Sequence, residues 1–277
     1  MEFALCNEIL PDFSLERQFA VAAELGFAAL ELAPFTLAAT AREVTTTQRA
    51  QIRRLAETTG VEVAGLHWLL AQTQGYHLTS PDPEVRRRSV EYLREVVRLG
   101  VDLGGRVAVV GSPLQRGLLP GVTYAQAWAW FAEAMAGAAA TPGGEQFALC
   151  LEPLAPSTQN TFLFTAAEAA RLVRQIDLPN VRVILDCFSG VDLEIDFPAA
   201  IRAVGPLLGH FHLNDHNGRA PGLGETDFVP IFRALLDLGY EGYASLEVFD
   251  HSLDPVEHAR RGLAAAREAL AAAQGSP

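Results

Sequence analysis

Four polar residues stand out because each follows directly on a short apolar run. The runs read Cys150-Leu-Glu152-Pro, Ile184-Leu-Asp186-Cys, His210-Phe-His212-Leu-Asn-Asp215 and Ser245-Leu-Glu247-Val. Singly, each of Glu152, Asp186, His212 and Glu247 would pass as a polar cap or a salt-bridge partner at a strand end. Four on consecutive runs, at equivalent places, converge on one point if the runs are neighbouring strands. Three carboxylates so crowded in a low-dielectric mouth repel one another unless a cation neutralises them or some take up protons. A divalent metal resolves the conflict. Oxygen donors with one nitrogen and no thiolate suit Mn²⁺ best, with Mg²⁺, Co²⁺ or Zn²⁺ as alternatives.

The elements that would position these groups are marked twice. Eight apolar runs recur: 3–6, 28–32, 61–66, 107–110, 147–151, 181–185, 207–213 and 243–248. Between them lie longer stretches with helix punctuation. Ser14 opens a helix ending near Gly26, and Gly60 ends the next. Thr123-x-x-Gln126 and Thr165-x-x-Glu168 have capping-box spacing, while Asp82-Pro83 and Asp254-Pro255 put a cap before a first-turn proline. Alternating β and α elements imply parallel strands with right-handed crossovers, and eight of them in this length predict an α/β fold, a (β/α)₈ TIM barrel forming one domain over 1–277. A doubly wound sheet is the alternative, but its dinucleotide-binding form needs a glycine-rich turn after the first strand, where this chain has Asn7-Glu-Ile-Leu-Pro11.

Composition bounds the partners. The chain is 49% hydrophobic and carries a formal net charge of -12 without a dense basic run, so its field repels phosphate backbones and acidic membrane surfaces. Nucleic acid and membrane are not expected partners, and a homo-oligomer is possible. No basic leader and no bilayer-length apolar stretch is present, which makes a cytoplasmic location the expectation. Cys6, Cys150 and Cys187 form no metal or disulfide framework and read as reduced core residues.

The chain resembles the xylose isomerase-like superfamily of sugar isomerases and epimerases, which includes ketose 3-epimerases, hydroxypyruvate isomerase, inosose dehydratase and the apurinic endonucleases. The motifs that carry the likeness are Gly65-Leu-His-Trp-Leu69, Gly111-Ser-Pro-Leu-Gln-Arg116, Leu151-Glu-Pro-Leu154, Ile184-Leu-Asp186, His210-Phe-His-Leu-Asn-Asp215, Pro221-Gly-Leu-Gly224 and Leu246-Glu247. The resemblance implies a metal held by Glu152, Asp186, His212 and Glu247. It implies Lewis-acid catalysis through an enediolate, with the catalytic pair Glu152 and Glu247 on opposite substrate faces. It also places His67 and Trp68 at the pocket rim and gives Arg219 the substrate oxygens. Glu31, closing the second run, faces the same mouth or supports a ligand. His210 shares the strand parity of His212 and belongs one layer deeper, while Asp215 orients His212 or fastens the loop. His216, His251 and His258 read as surface or late-helix residues, and Trp128 and Trp130 as packing.

The departures matter as much. Ketose 3-epimerases follow their equivalent of Asp186 with a substrate-binding histidine, where this chain has Asp186-Cys-Phe-Ser189, so Ser189 is the candidate contact there. They also carry a further glutamate where this chain offers Thr158, Gln159 and Asn160. Free-ketose 3-epimerisation is thereby in question, whereas an isomerase or epimerase on another polyol, keto-inositol or acid sugar is not. Dehydration of an inosose at the same site and a non-catalytic sugar-binding barrel are the alternatives. An apurinic endonuclease is disfavoured, because Gly111 and Ser189 occupy two positions where its metal cluster needs ligands.

Overall fold

The computed structural model describes residues 1–188 and 195–275. Eight parallel strands close on themselves in sequence order, β1 (Glu2–Cys6), β2 (Ala29–Leu32), β3 (Glu62–Leu66), β4 (Val107–Val110), β5 (Ala148–Leu151), β6 (Val181–Asp186), β7 (Leu208–Leu213) and β8 (Tyr243–Leu246). The closing pair is β1 with β8, in register from Glu2 opposite Tyr243 to Leu5 opposite Leu246. Each strand falls within two residues of an apolar run, and closure excludes the open doubly wound sheet.

Among the described residues, the helices α1 (Leu15–Leu25), α2 (Thr46–Thr59), α3 (Pro83–Asp102), α4 (Tyr124–Ala139), α5 (Ala166–Ile176), α6 (Phe197–Val204), α7 (Phe228–Asp237) and α8 (Pro255–Gly275) follow their strands in turn. The punctuation operates as the spacing predicts. Thr123 with Gln126 and Thr165 with Glu168 form reciprocal capping boxes, and Thr45 with Gln48 adds a third that the spacing argument did not include. Gly26 and Gly60 end α1 and α2 in the left-handed region at φ 88° and 72°. No helix among the described residues is long and apolar enough to cross a membrane.

Two cores follow from the two faces of the strands. The larger lies between the barrel and its helices and includes Leu5, Leu30, Leu66, Leu149, Phe211 and Leu246. The smaller fills the barrel itself, with Ala4, Ala29, Ala64 and Tyr243 in one cluster and Val107, Val109, Cys150 and Ile184 in another. Because side chains alternate along a strand, residues two positions beyond these interior groups face inward again, one layer nearer the mouth. Glu31, Glu152, Asp186, His212 and Glu247 all have that parity. All three cysteines are buried and free. Trp128 and Trp130 pack under the guanidinium groups of Arg171 and Arg86, at 4.3 and 4.2 Å from the ring centres.

Candidate active site

The interior carries its polar groups in two tiers. In the lower one, Glu31 of β2 reaches across the barrel to β7, with its Oε2 2.7 Å from His210 Nε2 and its Oε1 3.3 Å from His212 Nε2. Ser245 Oγ of β8 lies 3.2 Å from His210 Nε2. Burial alone would raise the Glu31 carboxyl, but the imidazoles of His210 and His212 outweigh it and hold the group well below the usual carboxylate range. Glu31 is therefore an internal counter-charge that fixes both rings. It is fully buried, and of its two expected roles, facing the mouth or supporting a ligand, its contact with His212 Nε2 fits the second.

The upper tier is the predicted quartet. His212 Nδ1 lies 2.9 Å from Glu247 Oε2 and 3.7 Å from Asp186 Oδ2. One donor atom each from Glu152, Asp186 and His212 fall within 4.8 Å of one another. Asn214, two residues beyond His212, donates from Nδ2 to Asp186 Oδ2 at 2.8 Å and accepts from the Phe188 amide, which aims the Asp186 carboxylate inward. The Trp68 indole N–H donates to Glu247 Oε1 at 2.9 Å. Glu152 follows β5 directly, and room for its carboxylate exists because residue 111, just past β4, is glycine: an added Cβ would collide with Glu152 Oε2 and stand 3.0 Å from its Cδ.

The electrostatics of the two glutamates diverge. Burial, reinforced by Asp186 and Glu247, pushes the Glu152 carboxyl up to about 8. Burial also disfavours ionised Glu247, but the neighbouring His212 reverses the balance and leaves its pKa lowered. His212 is raised well above the ordinary imidazole value, because Glu247 and Glu31 overcome the burial that would lower it. Three acids around one imidazole are thus short of positive charge, and the protein alone relieves the shortage by protonating Glu152. Such a donor set, oxygen-rich with one nitrogen and held within reach of one centre, fits a hard or borderline divalent cation.

Glu152 and Glu247 line a cavity of about 230 Å³ together with His67, Trp68, Ser112 and Thr158, under an apolar roof that includes Leu154, Phe188 and Phe249. His67 is pinned through Nε2 to Glu8 Oε2 at 2.6 Å, while its Nδ1 and Glu8 Oε1 are buried without hydrogen-bond partners in the structure. Glu8 sits in the turn after β1, and the same question asked of the later strand ends would have found it. Arg116, which closes the Gly111–Arg116 motif, is fully buried, donates from Nη1 to Val110 O at 3.1 Å, and is lowered to about 10 by burial despite the nearby Glu152.

The remaining expectations divide. Arg219 is not in the cavity wall; its Nε donates to Asp250 Oδ2 at 2.6 Å in the loop after β8. Asp215 fastens the loop after β7 by accepting from Gly224, Thr226 and His216 rather than orienting His212. His258 is buried in the first turn of α8, where Nε2 accepts from the Ala220 amide, and so is not a surface residue. Ser189 lies outside the described residues.

A closed eight-stranded α/β barrel with acids and imidazoles converging at its C-terminal strand ends defines the class: a TIM-barrel enzyme with its polar centre in the mouth. The sequence model of the xylose isomerase-like TIM barrel family matches residues 19–271, and the chain belongs to that family. A D-psicose 3-epimerase of Ruminiclostridium cellulolyticum is 29% identical over 231 residues, covering 82% of this chain and 75% of that protein. An L-ribulose 3-epimerase of Mesorhizobium japonicum is 30% identical over 176 residues, which span 64% of this chain and 59% of the relative. A crystal structure of D-psicose 3-epimerase in the presence of D-fructose superposes with a TM-score of 0.84 at 27% identity, covering 98% of this chain and 99% of that one. The chain is accordingly an enzyme of the isomerase and epimerase kind.

Proposed function

We propose that this enzyme epimerises or isomerises a small polyhydroxy carbonyl compound by moving a proton at the carbon beside the carbonyl, with Glu152 and Glu247 as the proton-transfer pair. The observation that carries the reading is that these two carboxyls line one cavity, beside the donor atoms of Asp186 and His212. Two carboxyls that face one substrate can act in turn, one removing a proton as base and the other returning one as acid. The epimerases among the relatives support the same chemistry.

Glu152, Asp186, His212 and Glu247 would hold a divalent cation, Mn²⁺ by donor type. When bound it would polarise the substrate carbonyl and stabilise the enediolate. The protein does the rest. Trp68 steadies the Glu247 carboxylate through its indole N–H, Asn214 orients Asp186, and Glu31 fixes the ring of His212 from below. Phe188, Phe249 and Leu154 keep bulk water from the reacting carbon, and His67, Ser112 and Thr158 offer polar contacts to hydroxyl groups.

The test is deuterium incorporation. The Mn²⁺-loaded protein is incubated with ketoses, aldoses and inososes in D₂O and followed by NMR. Label is expected next to the carbonyl of at least one substrate, and is expected to be lost in Glu152→Gln and Glu247→Gln. A wild-type protein silent across the panel would refute the reading.

A further inference from the structure

Beyond the inner cavity, the barrel mouth widens into a second cavity of about 900 Å³. Trp68, Ser112, Pro113, Thr158 and Phe249 belong to the walls of both, so one continuous path runs outward from Glu152 and Glu247. The inner chamber is about a quarter the size of the outer one, so a reacting sugar seated within it leaves the larger space unfilled.

The outer wall has a definite chemistry. Phe13 and Phe35 supply aromatic faces, and Gln72, Gln115 and Gln159 supply amides. Among the described residues its ionisable members are Glu8 and His251, and neither arginine nor lysine lines it. A phosphate or carboxylate would meet no fixed cation there, in a chain that already carries a net charge of -12. Aromatic faces stack on the apolar C–H face of a sugar ring, and amides both donate to and accept from its hydroxyls.

Two details mark this wall as shaped for an occupant. Trp68 stands at the junction with φ 52°, in the left-handed region that a bulky side chain rarely adopts, and it is held there with its ring tied to Glu247. Leu114 at the rim is 60% exposed, well above Val101 at 38%, the other exposed large apolar side chain among the described residues.

We propose that the substrate carries an uncharged glycosyl substituent that seats in the outer cavity, so that the enzyme acts on a neutral keto-glycoside or keto-disaccharide in preference to a free monosaccharide or a sugar phosphate. The proposal rests on the epimerase reading above. It deepens that reading by naming the substrate class.

The experiment compares a free ketohexose with glucosyl-ketohexoses of different linkage, all with the Mn²⁺-loaded enzyme in D₂O. The best glucosylated substrate is expected to exchange with kcat/KM about tenfold or more above the free sugar. Phe35→Ala and Leu114→Glu, with melting temperatures checked, are expected to remove most of that advantage through KM and to leave the free ketose unaffected. Equal rates for both substrates, or an advantage that survives both variants, would overturn the proposal and leave the epimerase reading standing. Exchange with neither substrate removes both.

Discussion

Replacing Gly111 by alanine separates the site from the scaffold. Residue 111 has no left-handed backbone requirement, so alanine is conformationally acceptable there. Its Cβ, however, would stand 3.0 Å from Glu152 Cδ and overlap Oε2, whereas carbon atoms normally rest about 3.5–4.0 Å apart. The carboxyl must retreat by roughly 1 Å or more, and because it is the free end of a flexible side chain, the retreat costs little stability. Catalysis is less forgiving: a displacement of about 1 Å costs on the order of 100-fold in rate, or about 2.7 kcal/mol. Gly65→Ala is the matched control, since its Cβ would stand 2.6 Å from Val107 Cγ2 and 3.0 Å from the Val107 carbonyl carbon, atoms of the neighbouring strand that cannot swing aside. Gly65→Ala should melt roughly 2–12 °C lower from overpacking. Gly111→Ala should melt near wild type while kcat for deuterium exchange falls about 100-fold. Wild-type kcat in folded Gly111→Ala would show that the placement of Glu152 is irrelevant to the reaction.

Trp68→Phe removes the 2.9 Å donor to Glu247, and kcat should fall roughly 10- to 100-fold, as expected for a lost hydrogen bond to a charged group; an unchanged rate would detach Trp68 from the proton transfer. Glu31→Gln leaves His210 and His212 without their buried counter-charge. Calorimetry should show a loss of about 3–5 kcal/mol, roughly 6–20 °C in melting temperature, and a stability equal to wild type would contradict the two-tier arrangement. The metal-stripped protein should lose stability as pH rises from about 5 to 8. Glu152, raised from 4.5 to about 8, binds more protons folded than unfolded across that window, so its contribution is full below 4.5 and lost as pH climbs through 8. His212, raised above 6.5, has the same sign. Glu31 and Glu247 are lowered, so their contributions are lost only in more acid solution. Added divalent cation should flatten the pH dependence measured by thermal melts, and a melting temperature that increases from pH 5 to 8 without metal would refute the sign.

What could be read in the sequence is what strand periodicity and chain order determine. Glu152, Asp186, His212 and Glu247 follow consecutive strands, so their inward parity and adjacency are consequences of the pattern alone. The partners that fix them are another matter. Glu31 meets His210 and His212 across the barrel from β2 to β7, and His67 meets Glu8 across 59 residues. No local spacing encodes a contact between opposite walls, which is why the sequence leaves Glu31 between the mouth and the support of a ligand, while the structure sets it against two imidazoles. Gly111 is equally silent: its importance is the absence of an atom that Glu152 would otherwise meet. Arg219 shows a third limit of local spacing. Its position in the chain puts it near the mouth, and only the fold brings Asp250, from the loop after β8, to its guanidinium.

The two tiers also explain why the centre can be both part of the core and reactive. Below, one acid is hydrogen-bonded to two imidazoles, so both of its oxygens are partnered within the protein and the layer behaves as a polar plug in an otherwise apolar barrel. Above, three acids surround one imidazole, and the mismatch appears as the proton on Glu152. A barrel closed by apolar residues at the upper tier would be simpler to bury but would have no use for a cation. With the acids in place, a bound cation would favour the folded chain by mass action, and it would displace the protons of both Glu152 and His212, which ligate only when deprotonated. Metal affinity, the protonation of Glu152 and His212 and thermal stability are therefore expected to move together, which makes proton release on metal binding near pH 7, from Glu152 and His212 together, the sharpest single check on the site.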